Sequence, residues 1–527
     1  MSPDRVELAL SSTRSMALSS AVRIAELEQQ NSQLSEQLES LKRQLDWFKR
    51  QLFGAKSEQQ RFIDPAVQGN LLATLGVAIP SPQNTPTETV TYTRKKLRDH
   101  AVTDSGLRFD ATVPVNTITI GDPDIEALPE SARECIGEKV TYRLAQRPAS
   151  YEVMKYVRRV YKILATQEIV TTVSPPPVLE QCVADVSLLA GILTDKFLYH
   201  LPLYRQHQRL KAAGITVSRG SLTNWSARSI DLLEPIYTAQ CAHVLQSRVL
   251  AMDETPIKAG RREKGKMRQG YFWPIYGQDN EVVFPFATSR SHSHVQTFLG
   301  SFTGTLLSDG YEAYAAYARN NTEVTHAECW AHCRRHFEGA QDAEPAAATE
   351  ALALIGALYR HEQAIRDRHL EGEQKLAYRT EHSEPVTQAF WRWCDEQCHR
   401  PDLIPGNPLS KALKYARERR VRLQVFLSDP EVPVDTNHLE RALRPIPLGR
   451  RNWLFCWTEL GAKQVGIIQS LIATCKLHGV DVTTYLVDVL QRVSLHPAKD
   501  VIDLTPRVWK TKFAHDPMRS DIALADQ

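Results

Sequence analysis

Two acidic residues follow apolar runs in the middle of the chain. Asp253 comes after RVLAM, and Asp309 closes the run GTLLS. Such runs predict buried strands, and loops at the carboxyl ends of strands in α/β sheets bring side chains together. Glu440 lies in a later helical pattern. Three carboxylates converging from two strands and a helix can hold two Mg²⁺ ions, which would activate the attacking oxygen and stabilise the leaving oxygen in a phosphoryl displacement. The pattern therefore predicts Asp253, Asp309 and Glu440 as catalytic metal ligands, with Mn²⁺ as a possible substitute.

Each carboxylate also has a plain structural interpretation. Asp253 could simply start a turn, and Asp309 with Gly310 forms a common turn dipeptide. Glu440 could pair with Arg444 at i,i+4 spacing, which contributes a few tenths of a kcal/mol. Only the combination of the three residues with their fold context favours a metal site.

The helix that carries Glu440 has recognisable ends. Asp435 or Thr436 can serve as its N-cap, because a short oxygen side chain accepts from the free N–H groups of a first helical turn. Pro445 disfavours helical geometry in the residue before it. The helix is therefore predicted to end or bend near Arg444.

The elements that position these residues predict an α/β fold. From Arg248 onward, the patterns give three strands, a helix, a strand, a helix and a strand, which is typical of a mixed sheet. The whole chain divides into segments by composition and periodicity. These segments are an N-terminal coiled coil (1–55), a linker (56–108), a small β-rich module (109–175), a helical domain (176–246), the first part of the α/β core (247–338), a helical insertion (339–432), the second part of the core (433–480), and a C-terminal helix with an irregular tail (481–527).

Length and composition set the class of protein. A chain of 527 residues with 24% charged and 42% hydrophobic residues is an ordinary multidomain globular protein. Nine cysteines without a secretory framework, no signal peptide and no apolar run long enough for a membrane span favour the cytoplasm. The net charge of +3 does not by itself indicate a nucleic-acid partner.

A heptad pattern near the N-terminus predicts a coiled coil. Apolar residues alternate between two sets of positions, with one polar exception, Asn31, which favours a two-stranded partner. An intramolecular helix packed on its own domain is the alternative. The heptad residues are Ile24, Leu27, Asn31, Leu34, Leu38, Leu41, Leu45, Phe48 and Leu52.

The helical domain contains a possible helix-turn-helix. A helix runs to Ala213, Gly214 makes a turn, and a second helix starts from Ser218 as its cap. In a DNA-binding version, the second helix enters the major groove with residues that include Arg219, Asn224 and Arg228. A plain helical hairpin is the alternative.

Basic residues cluster beside two of the proposed metal ligands. Phosphate neutralisation by such residues would dominate DNA affinity and make it fall steeply with salt. Solvated surfaces also carry runs of this kind. The candidates after Asp253 are Lys258, Arg261, Arg262, Lys264, Lys266 and Arg268, and those around Glu440 are Arg441, Arg444, Arg450 and Arg451.

Seven motifs together resemble the transposases of the insertion-sequence sixty-six family. They occur in the order of that family and extend across nearly the whole chain. The motifs are FKRQLFGAKSEQ, LPLYRQ, MDETP, SDGYEAY, CWAHCRRHF, NHLERALRPIPLGRRNWLF and KLHGVD.

The resemblance implies a ribonuclease-H-like core and an Asp-Asp-Glu triad that maps to Asp253, Asp309 and Glu440. It implies cleavage of double-stranded DNA at the terminal inverted repeats of an element, and attack of the 3′-hydroxyl ends on target DNA. It also implies accessory proteins encoded by the same element, a nucleoid-associated location in a bacterial cytoplasm and no membrane partner. A dimer through the coiled coil is expected. A catalytically inactive repressor, a domesticated transposase and a coiled-coil scaffold are the alternatives.

Zinc is not expected as a cofactor. In the family, the region after the linker resembles a zinc ribbon with paired cysteines. This chain has only Cys135 in that module. A second candidate set, Cys329, His332, Cys333 and His336, has suitable ligand types. On one continuous helix these side chains fall on adjacent faces, which is awkward for one tetrahedral ion. A packing role is the alternative for this set.

Overall fold

The computed structural model describes residues 29–31, 42, 107–147, 150–263, 266–453, 456 and 458–524. Most of the predicted coiled coil and all but the end of the predicted linker lie outside these residues, although Asn31 is helical and exposed. The described part forms two compact units. The helical unit contains Cys333–His369 and Tyr378–Arg420, and the sheet unit contains the rest from residue 107 onward. Every helix in the described ranges is too short or too polar to cross a lipid bilayer.

The strands belong to the sheet unit. In chain order they are β1 (Arg108–Phe109), β2 (Val115–Ile120), β3 (Arg133–Arg147), β4 (Ser150–Ile163), β5 (Ile169–Thr171), β6 (Ile215–Thr216), β7 (Val249–Met252), β8 (Thr255–Glu263), β9 (Lys266–Phe272), β10 (Ile275–Tyr276), β11 (Val282–Val283), β12 (Phe286–Ala287), β13 (Gly304–Ser308) and β14 (Val324–Glu328).

The α-helices occur in both units. They are α1 (Pro123–Glu126), α2 (Val186–Phe197), α3 (Leu203–Ala212), α4 (Arg219–Val244), α5 (Ser293–Leu299), α6 (Glu312–Asn320), α7 (Trp330–Glu338), α8 (Pro345–Asp367), α9 (Gly372–Tyr378), α10 (Glu384–Cys398), α11 (Pro408–Glu418), α12 (Arg420–Leu423), α13 (Val425–Ser428), α14 (Asn437–Leu443), α15 (Pro445–Trp453), α16 (Glu459–Leu477), α17 (Val482–Arg492), α18 (Pro506–Lys512) and α19 (Asp521–Leu524). Short 3-10 helices cover Glu130–Ala132 and Ala498–Leu504, and a π-helical turn covers Arg379–Ser383.

A five-stranded mixed sheet forms the centre of the sheet unit, in the order β11-β10-β7-β13-β14. β10 pairs antiparallel with β7 and β11, whereas β13 pairs parallel with β7 and β14. All four residues of β7 are buried, as expected of a strand covered on both faces. The predicted α/β class is confirmed, and the later order of helix, strand, helix and strand is as expected, but six strands, β7 to β12, stand where three were predicted.

Helix α16 covers one edge of this sheet through polar side chains. The N–H of Phe284 donates to Ser470 Oγ at 2.9 Å, and the N–H of Val282 donates to Thr474 Oγ1 at 3.3 Å. Gly466 allows the close approach, because a Cβ there would lie 2.3 Å from the carbonyl oxygen of Phe284. The edge backbone is thereby satisfied and hidden from solvent.

The β-rich module is a sheet in which β4 lies between β2 and β3, and β5 also pairs with β4. The long hairpin of β3 and β4 matches the strands expected in this region. Cys135 is exposed there.

The end of the chain differs from the irregular tail that was expected. It forms a 3-10 helix, α18 and α19. Trp509 is 2% exposed and donates to Asp488 Oδ1 at 3.0 Å, while Ile522 packs against Met154 and Tyr156 of the β-rich module. These apolar side chains are spaced too widely to give a sequence period, which is why the docking was missed.

The helical unit is held by buried polar contacts as well as by apolar packing. Arg379, fully buried, donates through Nε and Nη2 to the two carboxylate oxygens of Glu362, each at 2.8 Å. A two-bonded ion pair of this kind satisfies charges that would otherwise be costly to bury.

Candidate active site

The register of two neighbouring strands brings Asp253 and Asp309 together. In the parallel pairing of β7 with β13, Ala251 lies opposite Leu307. Each aspartate follows its member of that pair by two positions, so both reach the same level at the carboxyl end of the sheet. This is the placement that the strand-end pattern predicted.

Glu254 joins the two aspartates. One carboxylate oxygen each from Asp253, Glu254 and Asp309 lies within 4.8 Å of the others. The sequence reasoning missed Glu254, although it stands next to Asp253 in the motif MDETP. The only signal for it in the sequence was the pair of adjacent acids at a strand end. The strand period argued against it, because that period places neighbouring side chains on opposite faces.

Backbone groups orient both aspartates. The N–H of Glu254 donates to Asp253 Oδ1 at 2.7 Å, and the N–H of Tyr311 donates to Asp309 Oδ1 at 2.9 Å. The second contact is the side-chain turn that Asp and Asn commonly form with the backbone two residues on. The turn interpretation of Asp309 and its place in the carboxylate cluster are therefore compatible.

The environment disfavours ionisation of Asp253. Its pKa is raised to about 7, chiefly by burial; the hydrogen bond from the Glu254 N–H lowers it, and the charges of Glu254, Asp309 and Glu440 contribute to the rise. Like charges that share a poorly hydrated site repel one another, and a bound cation relieves that repulsion. The side chains of Asp253, Glu254 and Asp309 could therefore hold a metal ion.

Glu440 approaches from α14 and lies outside the set of three close oxygens. Its charge nevertheless contributes to the raised pKa of Asp253. His332 Nε2 lies 3.8 Å from Glu440 Oε1. The structure thus places all three predicted carboxylates at one end of the sheet, with Glu440 farther from the centre of the cluster than Glu254.

The ends of α14 follow the predicted pattern. Thr436 is the N-cap residue, although its side chain does not accept from the helix, and Asp435 accepts from the N–H of Asn437 at 3.0 Å. The helix ends at Leu443, and Pro445 begins α15. Arg444 keeps helical backbone angles, with φ of −50° and ψ of −34°, so Pro445 starts a second helix without moving the preceding residue out of helical geometry.

A buried sulfur docks the start of α14. Cys329 Sγ accepts from both the N–H and the hydroxyl of Thr436, each at 3.3 Å. The N–H of Trp330 donates to the carbonyl of Val434 at 3.1 Å, and its ring N–H donates to the carbonyl of Leu423 at 2.7 Å. These contacts fix the segment before Glu440 against the end of β14.

The four residues considered for zinc make different contacts in the described structure. Cys329 accepts from Thr436, and His332 faces Glu440. Cys333 is fully buried in the helical unit, where the ring of His336 stacks on Tyr415 with centroids 4.0 Å apart.

The basic residues of the β8–β9 hairpin stand near Asp253 in sequence and are exposed. Lys258 and Arg261 project to solvent, Lys266 lies 3.3 Å from Glu263, and Arg268 lies 3.7 Å from Glu459. The side chain of Arg262 and all of Lys264 lie outside the described residues.

Other predicted DNA-binding residues divide into exposed and structural ones. Arg228 donates to the carbonyl of Glu180 at 3.2 Å, and Arg450 donates to the carbonyl of Pro256. Both arginines therefore have a structural contact that the sequence did not indicate. The remaining members are exposed, namely Arg219, Asn224, Arg441, Arg444 and Arg451.

The helices around Gly214 match the prediction. α3 ends at Ala212, Gly214 has a positive φ of 79°, and Ser218 Oγ caps α4 by accepting from the N–H of Ser221 at 3.0 Å. Trp225 and other apolar residues of α4 are buried, so its exposed face is confined to one side.

Two family models match the chain. Residues 181–464 match the family described as Transposase IS66 family, and residues 470–507 match the IS66 C-terminal element. The first match contains Asp253, Asp309 and Glu440.

Relatives from Sinorhizobium fredii are similar over most of the chain. The uncharacterized protein y4hP is 31% identical over 403 residues, which are 72% of this chain and 72% of y4hP. The uncharacterized protein y4jD is 29% identical over 493 residues, which are 90% of this chain and 94% of y4jD.

Proposed function

Because the chain belongs to the IS66 family of transposases, we propose that it is a DNA transposase of a bacterial insertion sequence. It binds the terminal inverted repeats of its element, cleaves DNA strands in a metal-dependent reaction and transfers the 3′-hydroxyl ends into target DNA. The observation that carries this proposal is the carboxylate cluster at the carboxyl ends of β7 and β13, with Glu440 beside it.

The central sheet supports a ribonuclease-H-like core. Three antiparallel strands are followed by two strands parallel to the first, with α5 and α6 in the connections. This order puts the first and fourth strands of the sheet next to each other and gives each an acidic residue at its end. An active site at that edge agrees with the general position of sites in α/β sheets.

The donor set fits a hard divalent cation. Mg²⁺ takes oxygen ligands at about 2.0–2.1 Å, so two oxygens on opposite sides of one ion stand about 4 Å apart. Oxygens of Asp253 and Asp309 lie within 4.8 Å of each other, which is compatible with their sharing one ion. We assign Asp253, Asp309 and Glu440 as the metal-binding residues. A pair of bound Mg²⁺ or Mn²⁺ ions would supply Lewis-acid activation of the attacking and leaving oxygens.

Other groups of the chain would orient the metal-binding carboxylates or contact the DNA. The backbone N–H groups of Glu254 and Tyr311 orient the carboxylates of Asp253 and Asp309 by hydrogen bonds. The contacts of Cys329 hold the start of the helix that carries Glu440. The exposed side chains of Lys258 and Arg261 are placed to neutralise phosphates of DNA arriving at the sheet end. A second DNA contact from the start of α4, through Arg219 and Asn224, completes the proposal.

Assembly is the remaining part of the proposal. All heptad residues except Asn31 lie in ranges that the structure does not describe, and self-association as a dimer through them is proposed from their spacing. Accessory proteins of the same element are proposed as further partners.

The test uses a labelled duplex that carries an element end, with Mg²⁺ and the purified full chain. The parent is expected to cleave and join strands, and Glu440→Gln is expected to bind the same DNA without cleaving it. Asp342→Asn, an exposed acid of the helical unit, is the control and should behave as the parent. Undiminished cleavage by Glu440→Gln would refute the assignment. Binding without cleavage by the parent, even with the accessory proteins, would indicate a repressor.

A further inference from the structure

We infer that Glu254 is a positioning residue of the carboxylate site and not one of its metal ligands. The inference rests on the proposed function, because it concerns the same metal site. Glu254 is the closest acidic neighbour of the two aspartates, so its position alone suggests a ligand. Its contacts indicate a different role.

Both oxygens of the Glu254 carboxylate are already used. Arg290 donates to Oε1 through Nε at 2.7 Å and also through Nη2, and the hydroxyl of Tyr314 donates to Oε2 at 2.6 Å. The side chain of Glu254 is only 4% exposed, and Tyr314 is fully buried. Oε1 accepts two N–H bonds and has no lone pair left for a metal ion, and a metal ion on Oε2 would share that oxygen with the Tyr314 hydroxyl. By contrast, Asp253 and Asp309 each keep one oxygen without a hydrogen bond in the described contacts.

The partner arginine links Glu254 to Asp309. The guanidinium of Arg290 lies 4.0 Å from the ring centroid of Tyr311, and the hydroxyl of Tyr311 donates to the carbonyl of Arg290 at 2.5 Å. The N–H of the same tyrosine donates to Asp309 Oδ1. Glu254, Arg290, Tyr311 and Asp309 therefore form one chain of contacts around the site.

Asp253 is linked through the adjoining peptide. The N–H of Glu254 donates to Asp253 Oδ1, so the backbone that carries Glu254 also orients that aspartate. Anchoring of the Glu254 side chain on Arg290 and Tyr314 fixes this peptide. Removal of groups that orient metal ligands through hydrogen bonds typically weakens metal binding by about 10- to 100-fold.

Two substitutions of the same residue separate positioning from ligation. Glu254→Gln retains an amide oxygen that accepts from Arg290 and an N–H that can donate to the Tyr314 oxygen. Glu254→Ala removes both contacts. We expect Glu254→Gln to bind Mn²⁺ with the parent's stoichiometry and within about threefold of its affinity, while Glu254→Ala weakens binding about tenfold or more.

The measurements are calorimetric Mn²⁺ titration of the full chain, the Mn²⁺ concentration for half-maximal cleavage, and the thermal midpoint. Glu312→Ala is the control, since Glu312 pairs with Arg319 outside the site and its loss should leave Mn²⁺ binding unchanged. Tyr314→Phe should raise the half-saturating Mn²⁺ concentration in the same direction as Glu254→Ala and by a smaller factor.

The outcomes distinguish this inference from the proposed function. Loss of a bound Mn²⁺ in Glu254→Gln, as large as the loss in Asp253→Asn, would make Glu254 a ligand and overturn the inference. Parent-like Mn²⁺ binding and cleavage in Glu254→Ala would overturn it also. Parent-like Mn²⁺ binding in Asp253→Asn would instead show that the proposed metal site is wrong.

Discussion

Asp253 and Asp309 are placed by a β-ladder, whereas Glu440 is placed by side chains. The two aspartates end adjacent strands whose backbone hydrogen bonds fix the register. Glu440 arrives on a short helix that is held by a cysteine sulfur and by the backbone and ring of a tryptophan. Backbone ladders tolerate most side-chain changes, whereas docking through a few named atoms does not. The two halves of the site should therefore fail in different ways when they are altered.

The largest effect is expected at the sheet half. Asp253→Asn removes a proposed ligand while keeping the side-chain shape, so cleavage should fall by at least about a hundredfold. The thermal midpoint should remain close to that of the parent or rise, because the buried charge is lost. Cleavage rates and melting curves provide the measurement, with Asp342→Asn as the exposed control. Equal cleavage by Asp253→Asn and the parent would remove this residue from the site.

The ladder itself can be broken at Gly304. This residue starts β13 with φ of 128°, and a Cβ there would lie 2.3 Å from the carbonyl oxygen of Arg248. Strain of such a backbone costs about 1–3 kcal/mol in a residue other than glycine, and the clash adds to it. Gly304→Ala should lower the free energy of unfolding by at least that amount in a denaturant titration. Gly372→Ala, which has positive φ but no atom within 4 Å of the added Cβ, separates the clash from the strain.

The helix half can be broken at Cys329. Cys329→Ala leaves the N–H and hydroxyl of Thr436 without their acceptor in a buried place, which should cost about 1–3 kcal/mol. The cleavage rate should fall by more than the loss of folded protein explains, because the segment before Glu440 loses its anchor. Cys329→Ser keeps an acceptor and should recover part of both. If Cys329→Ala cleaves like the parent, the sulfur does not position Glu440.

The smallest effect is expected at Trp330. Trp330→Phe keeps a large ring but removes the donor to the carbonyl of Leu423 and leaves a small cavity, so the unfolding free energy should decrease by about 1–3 kcal/mol while cleavage changes least. The Mn²⁺ requirement for cleavage should change little, since the backbone contact to Val434 remains. A large change in that requirement would mean that the ring contact, and not the sulfur, sets the position of α14.

The same contrast explains what the sequence could predict. Asp253 and Asp309 were found because a buried strand and its end are visible as a local pattern, and Gly214 and Ser218 marked a turn and a cap in the same way. Glu440 was proposed from its place in a helical pattern, and the family resemblance then assigned it as the third member of the triad. The role of Glu254 was missed because it depends on Arg290, which is 36 residues away.

Long-range contacts limited the other predictions as well. Thr436 meets Cys329 across 107 residues, and no local period reveals such a meeting. Arg228 was assigned to DNA by its position in the second helix and Arg450 by its place in a basic cluster, yet both donate to backbone carbonyls of the same unit. The charge of an arginine can be read from the sequence, whereas the acceptor to which it donates depends on the tertiary fold.

The late position of Glu440 in the chain has a consequence for synthesis on the ribosome. Both aspartates are translated more than a hundred residues before Thr436 and Glu440. Cys329 is also made earlier, so its contact with Thr436 cannot form until that later segment has been synthesised. A nascent chain that stops before this point contains the sheet end with Asp253, Glu254 and Asp309 but lacks Glu440. Under the proposed assignment, the ability to cut DNA is therefore one of the last properties that the growing polypeptide acquires.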